Sequence, residues 1–175
     1  MQIRLTDIAD SEGKCIKLVP ELESERIKFK TGDFPIIEKS PVNLQITNTG
    51  NKVLELVGDG SIVVGIPCDR CLEQVNVEIS YNIERKLDMK QSDDDRVRDL
   101  DENDYVTGMD LDVDRLVYLE VLMNWPLKIL CKDDCKGICS RCGKNLNEGP
   151  CECAEEPKDP RMAAISDIFS KFKEV

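Results

Sequence analysis

The chain has 175 residues, 41% of them hydrophobic and 34% charged, with a formal net charge of −11 and no histidine. This length supports one main domain with an appendage and is short for two full domains, and no apolar run approaches the ~20 residues that cross a bilayer. The missing histidine excludes Ser-His and Cys-His nucleophile pairs, and the acidic balance repels nucleic acid at long range while attracting basic proteins.

In chain order, MQIRLTDI (1–8) reads as a first strand, and the N-terminal stretch lacks the basic-then-apolar pattern of a secretory leader, so residence in the cytoplasm is expected. The isolated Cys15 reads as a small buried apolar residue near a strand. PVNLQIT (41–47) alternates through Val42, Leu44 and Ile46, and NTGN (48–51) has turn chemistry. KVLELVGDGSIVVGIP (52–67) reads as two strands about a Gly-Asp-Gly turn. VNVEISYNI (75–83) alternates strictly, with Val75, Val77, Ile79, Tyr81 and Ile83 on one face. Short connections between such strands imply an antiparallel meander, so residues 1–90 are expected to form a curved sheet or a partly closed barrel.

Residues 93–114 hold ten acidic and two basic side chains, and 91–110 is expected to be an exposed acidic loop. DLDVDRLVYLEVLMNWP then predicts a packing helix over 111–125, capped by Asp112 or Asp114, with Leu116, Leu119, Leu122 and Met123 at helical spacing and Pro126 as its stop. A cysteine-rich segment occupies 126–153, and the tail 154–175 places Met162, Ile165, Ile168, Phe169 and Phe172 at helical intervals. The expected fold class is α+β: mainly antiparallel β-sheet, one packing helix and a C-terminal zinc-binding knuckle.

Eight of the nine cysteines form four close pairs: Cys68/Cys71, Cys131/Cys135, Cys139/Cys142 and Cys151/Cys153. Inside a reducing cell such pairs point to metal more than to disulfides, and four pairs allow two closed sites of four thiolates each. Structural zinc is the expected cofactor, with iron, redox thiols and disulfides as the alternatives. Only eight residues, GKNLNEGP, separate Cys142 from Cys151, so Cys139, Cys142, Cys151 and Cys153 can close on one ion as a local knuckle. Cys68 and Cys71 would then join Cys131 and Cys135, stapling strand to helix across 59 intervening residues; other partitions stay open.

Catalytic readings are weaker. A catalytic zinc keeps a position for water, whereas this chain has enough cysteines to fill both sites. GICSRCGK departs from a P-loop in its glycine spacing and in Asn145, which stands where Ser or Thr would hold magnesium. Cys68-Asp69-Arg70-Cys71 lies between two strands, not at the start of a helix as a thioredoxin-like dithiol would.

PCDRCLEQV after an alternating strand, then NWPLKILCKDDCKGICSRCGKNLNEGPCEC, then DPRMAAI, resembles the bacterial YceD family, the large ribosomal RNA subunit accumulation proteins, over roughly residues 40–165. The full cysteine set resembles the family's Gram-positive branch. The resemblance implies a non-enzymatic factor needed for normal levels of large-subunit ribosomal RNA. Charge then narrows the mechanism. Around the cysteines, Lys132, Lys136, Arg141 and Lys144 are balanced by Asp133, Asp134, Glu148 and Glu152, which makes a weak RNA site. A basic ribosomal protein of the large subunit is therefore the expected partner. Direct contact with ribosomal RNA through Arg70, Arg141 and Lys144 is the second reading, and a thiol redox or metal-dependent enzyme the third.

Overall fold

The computed structural model describes residues 1–29, 32–90 and 104–153. Its main sheet has six strands: β2 (Cys15–Leu18), β3 (Arg26–Phe29), β4 (Gly32–Lys39), β5 (Asn43–Gly50), β6 (Val53–Pro67) and β7 (Gln74–Asp88). All pairings are antiparallel, in the order β2-β5-β6-β4-β3 with β7 also on β6. A second sheet joins β1 (Gln2–Arg4), β9 (Asp110–Asp112) and β8 (Val106–Thr107). Two helices, α1 (Thr6–Ala9) and α2 (Val113–Met123), complete the described elements. The fold is mostly antiparallel sheet with few helices, consistent with the α+β expectation.

The axis of the molecule is the β6–β7 ladder, paired without interruption from Val53↔Asp88 to Pro67↔Gln74. Period-2 alternation sends Leu54, Leu56, Ile62, Val64 and Ile66 of β6 and Ile79, Tyr81, Ile83 and Leu87 of β7 into one core. Gly58-Asp59-Gly60 makes no turn here. It runs through the strand opposite Ile83, Asn82 and Tyr81, at the point where β6 exchanges β5 for β4 on its other edge. Both glycines serve close approach. A Cβ on Gly60 would lie 2.5 Å from the Tyr81 hydroxyl, and one on Gly58 would strike the Asn43 carbonyl oxygen. A side-chain tip moves more easily than a paired backbone. Gly58→Ala is therefore expected to destabilise the chain by about 1–3 kcal/mol, and Gly60→Ala by less, in denaturant unfolding. Equal losses would contradict this difference.

Other expectations need correction. The turn between β5 and β6 lies at Asn51-Lys52, with φ of 56° and 62°, the left-handed pair that a two-residue hairpin requires. Asn48, expected within that turn, is buried; its amide donates to the Ile8 and Ala9 carbonyls at 2.8 and 3.0 Å and so ties α1 to the sheet. The N-terminal strand ends at Arg4, gives way to α1 and joins the smaller sheet. Cys15 is exposed, because Ile16 and Leu18 take the inward positions of β2. The stretch expected to be a loop up to 110 carries β8 and β9 and the buried Tyr105. Its residues 91–103, with most of the acidic run, lie outside the described residues, as does the tail 154–175.

Helix α2 is capped as expected: Asp112 Oδ1 accepts the Arg115 amide at 3.1 Å. Its buried face is rotated from the expected one, with Val113, Leu116, Val117, Glu120 and Val121 inside and Met123 exposed. After the helix, Trp125 packs on Phe29 and Phe34 at centroid distances of 4.3 and 5.4 Å, which anchors the chain as it turns toward the cysteines.

Candidate metal centre

Two groups of four cysteines form among the described residues. In the first, Cys68 and Cys71 sit in the turn from β6 to β7, and Cys131 and Cys135 follow α2. The turn is closed by the Cys68 amide on the Glu73 carbonyl (2.8 Å) and the Leu72 amide on the Cys68 carbonyl (3.0 Å), with Leu72 left-handed at φ 64°. Asp69 docks the far segment: its amide donates to the Ile129 carbonyl (2.8 Å) and its carboxylate accepts the Ile129 amide (2.7 Å). These bonds bring together two pairs of sulfurs whose nearest members, Cys71 and Cys131, are 60 positions apart in sequence. Cys68, Cys71 and Cys135 are buried in a small apolar cluster of their own.

The second group, Cys139, Cys142, Cys151 and Cys153, is local and more exposed. The Gly143 amide donates to the Cys139 carbonyl (2.9 Å), with Gly143 at φ 73°, and the Cys139 amide donates to the Lys144 carbonyl (2.8 Å). Within each group every sulfur lies within 4.8 Å of the others.

The donor set can be tested against a metal. Four thiolates at ~2.3 Å from a tetrahedral ion lie about 3.8 Å from one another. Cys68 and Cys135 stand 3.8 Å apart, and Cys71 and Cys131 3.4 Å. All nine cysteines are free thiols in the structure. Ionisation is uneven. Burial opposes it at Cys68, yet the amides of Cys71, Arg70 and Cys131 outweigh burial and bring that thiol down to about 6. At Cys139 the Cys142 and Arg141 amides lead, again to about 6. In the first group the hydrogen bond from Glu73 would lower Cys71, but burial and the neighbouring sulfurs push it up to about 12. In the second, Cys142, burial and Cys139 raise Cys153 to about 12. Each group thus ionises readily at one sulfur and resists ionising at another. A cation among the four removes that conflict, so both groups can hold a metal ion.

Sequence reasoning missed the groups that support the sulfurs. Asn147 Nδ2 donates to Cys135 Sγ at 3.3 Å, and Asn145 Nδ2 donates to Glu73 at 2.8 Å. The only signal was Asn-Leu-Asn inside a connection that reads as a plain hairpin. Two of the three cations expected to meet phosphate donate instead to backbone carbonyls: Arg70 to Cys135 at 2.8 Å and Lys144 to Pro150 at 3.0 Å. No helix among the described residues is long and apolar enough to cross a membrane.

A mostly antiparallel sheet with one four-sulfur group between its β6–β7 turn and the segment after α2, and a second group local to residues 139–153, defines the class: a β-rich protein with two cysteine groups that could each hold a metal ion. Residues 56–169, which include all eight grouped cysteines, match the family of the large ribosomal RNA subunit accumulation protein YceD, and the chain belongs to that family. It is similar to the large ribosomal RNA subunit accumulation protein YCED homolog 1, chloroplastic, of Arabidopsis thaliana, at 24% identity over 85% of this chain and 54% of that protein. It is also similar to uncharacterized proteins of Mycobacterium tuberculosis and Mycobacterium bovis, at 26% identity over 66% of this chain and 59% of theirs. The chain therefore spans somewhat over half the length of these relatives. No solved structure matches it.

Proposed function

We propose that the chain is a non-enzymatic ribosome biogenesis factor, acting in the cytoplasm, that supports accumulation of large-subunit ribosomal RNA by binding a basic ribosomal protein of the large subunit. The observation that carries this reading is the family match, which spans both cysteine groups, and the chloroplast relative bears the same name. The net charge of −11 favours a basic protein over RNA as the direct partner. The engagement of Arg70 and Lys144 within the metal loops weighs the same way.

The metal in this reading is zinc, bound as a structural ion by Cys68, Cys71, Cys131 and Cys135 and a second time by Cys139, Cys142, Cys151 and Cys153. Zinc supplies cross-linking alone here, since four sulfurs leave no position for water. Two equivalents of zinc per chain are expected in untagged protein.

The test is retention of purified large-subunit ribosomal proteins on the immobilised chain after RNase treatment. Binding is expected without RNA and is expected to weaken with salt, as screening shortens to ~8 Å at physiological ionic strength. Loss of every ribosomal component after RNase would replace the protein partner with ribosomal RNA.

A further inference from the structure

Asn145 and Asn147 belong to the loop between Cys142 and Cys151, whose ends are both sulfurs of the second group, yet their side chains reach the first. Asn147 donates Nδ2 to Cys135 Sγ at 3.3 Å and accepts the Lys136 amide on Oδ1 at 2.9 Å. Asn145 receives the Asn147 amide and side chain on its own Oδ1 at 3.0 and 2.9 Å, and donates to Glu73 at 2.8 Å. Glu73 in turn stands 3.7 Å from Cys71 Sγ. The backbone follows the same route. Ile138 bridges to Asn145, Leu146 donates to the Gly137 carbonyl (2.8 Å), and Ile138 donates to the Arg70 carbonyl (3.2 Å). Gly137, left-handed at φ 76°, lies against that carbonyl, where a Cβ would come within 3.0 Å.

We propose that the two metal groups are coupled through this loop: an ion in the second group holds Asn147 and Asn145 against the first, and so sets how tightly the first retains its own ion. The inference rests on the zinc reading above and extends it. Four physical points carry it. The loop has eight residues, and an ion held by Cys142 and Cys151 ties both its ends, adding to the hydrogen bonds above in restricting it. A donor to a metal-bound sulfur spreads its charge, and outer partners of this kind change metal affinity by about 10–100-fold. The two groups also differ in access, the first being buried and the second more open, so a chelator reaches the second group first. Coupling between binding free energies is reciprocal, so one ion's departure lowers the hold on the other. Asn147 is a positioning residue in this scheme, acting on the ion through Cys135.

The experiment is zinc release from the full chain into excess chromophoric chelator, followed in time. The native chain is expected to release its ions in two phases, a fast one from the second group with both ions bound and a slow one from the first after the second ion has left. The coupling therefore shows in the fast phase. Cys142→Ser, which opens the second group, is expected to release its remaining ion at the native slow rate. Asn147→Ala, with all eight cysteines present, is expected to accelerate the fast phase about 10-fold and leave the slow phase unchanged. Lys144→Ala, which alters the same loop at a bond to Pro150 only, is expected to change the fast phase less. Cys68→Ser, which opens the first group, is expected to accelerate release from the second by a factor similar to that of Asn147→Ala, and adding Asn147→Ala to it should bring little further acceleration. A fast phase unchanged in both Cys68→Ser and Asn147→Ala overturns the coupling while leaving the two zinc sites standing. Acceleration by Lys144→Ala equal to that by Asn147→Ala also overturns it, in favour of general loosening. A native zinc content below two overturns the reading beneath it and the coupling together.

Discussion

Replacing Cys68 by serine is expected to lower the thermal midpoint by about 10 °C and to remove one of two zinc equivalents, the largest loss expected from any single sulfur. Cys68 is fully buried, and its sulfur accepts the amides of Arg70 (3.5 Å) and Cys131 (3.4 Å), so it touches both chain segments that the first group joins. The site cannot exist in the unfolded chain, which makes its metal-binding free energy part of the folding free energy. Its loss releases the segment after α2 from the end of the β6–β7 ladder, and amide exchange is expected to quicken in β6, β7 and α2 together. Cys153→Ser, in the more exposed group away from the main core, is expected to shift the midpoint less. The measurements are calorimetry and metal content on the same samples. A Cys68→Ser chain that keeps two ions and its native midpoint would show that Cys68 is not a ligand.

What was legible in the sequence follows a physical pattern. The alternation of Val75 to Ile83 marks β7 because a half-buried strand leaves a period-2 trace whatever its partners are. The grouping of the cysteines was legible from reach, since eight residues suffice to bring Cys142 and Cys151 together. Gly58-Asp59-Gly60 misled because glycine permits both a turn and a close crossing, and only the three-dimensional neighbours, Asn43 and Tyr81, decide which. The buried face of α2 misled because a charged residue, Glu120, takes a core position while Met123 does not. Asn145 and Asn147 showed only as the Asn-Leu-Asn stretch, since polar residues in a short loop read as turn formers unless their distant acceptors are known. The knuckle consequently looked self-contained when it is hydrogen-bonded to the other group.

That misplaced charge makes the second large prediction. Glu120 is 2% exposed, and its Oε1 meets Arg85 Nη2 of β7 at 2.9 Å, with no other partner at that oxygen among the described residues. Burial raises the Glu120 pKa above its ordinary 4.5, and the Arg85 cation opposes the rise without cancelling it. A carboxyl raised on folding binds protons more readily in the folded state, so its contribution to stability is greatest at low pH and declines as pH rises above 4.5. Arg85→Ala removes the cation that opposes the rise and leaves a buried carboxylate unpaired, which is expected to destabilise the chain by about 3 kcal/mol at pH 7. The loss should shrink as pH falls, because burial favours the protonated form of Glu120, and this distinguishes a charge effect from lost packing. Arg85→Ala combined with Glu120→Leu should recover most of the stability, because an apolar side chain of similar size needs no counter-ion inside. Urea unfolding of the two variants at pH 5 and pH 7 makes the comparison. A pH-independent loss in Arg85→Ala, or a double variant no more stable than the single one, would mean that Arg85 contributes through its packing against Met123 rather than through its charge.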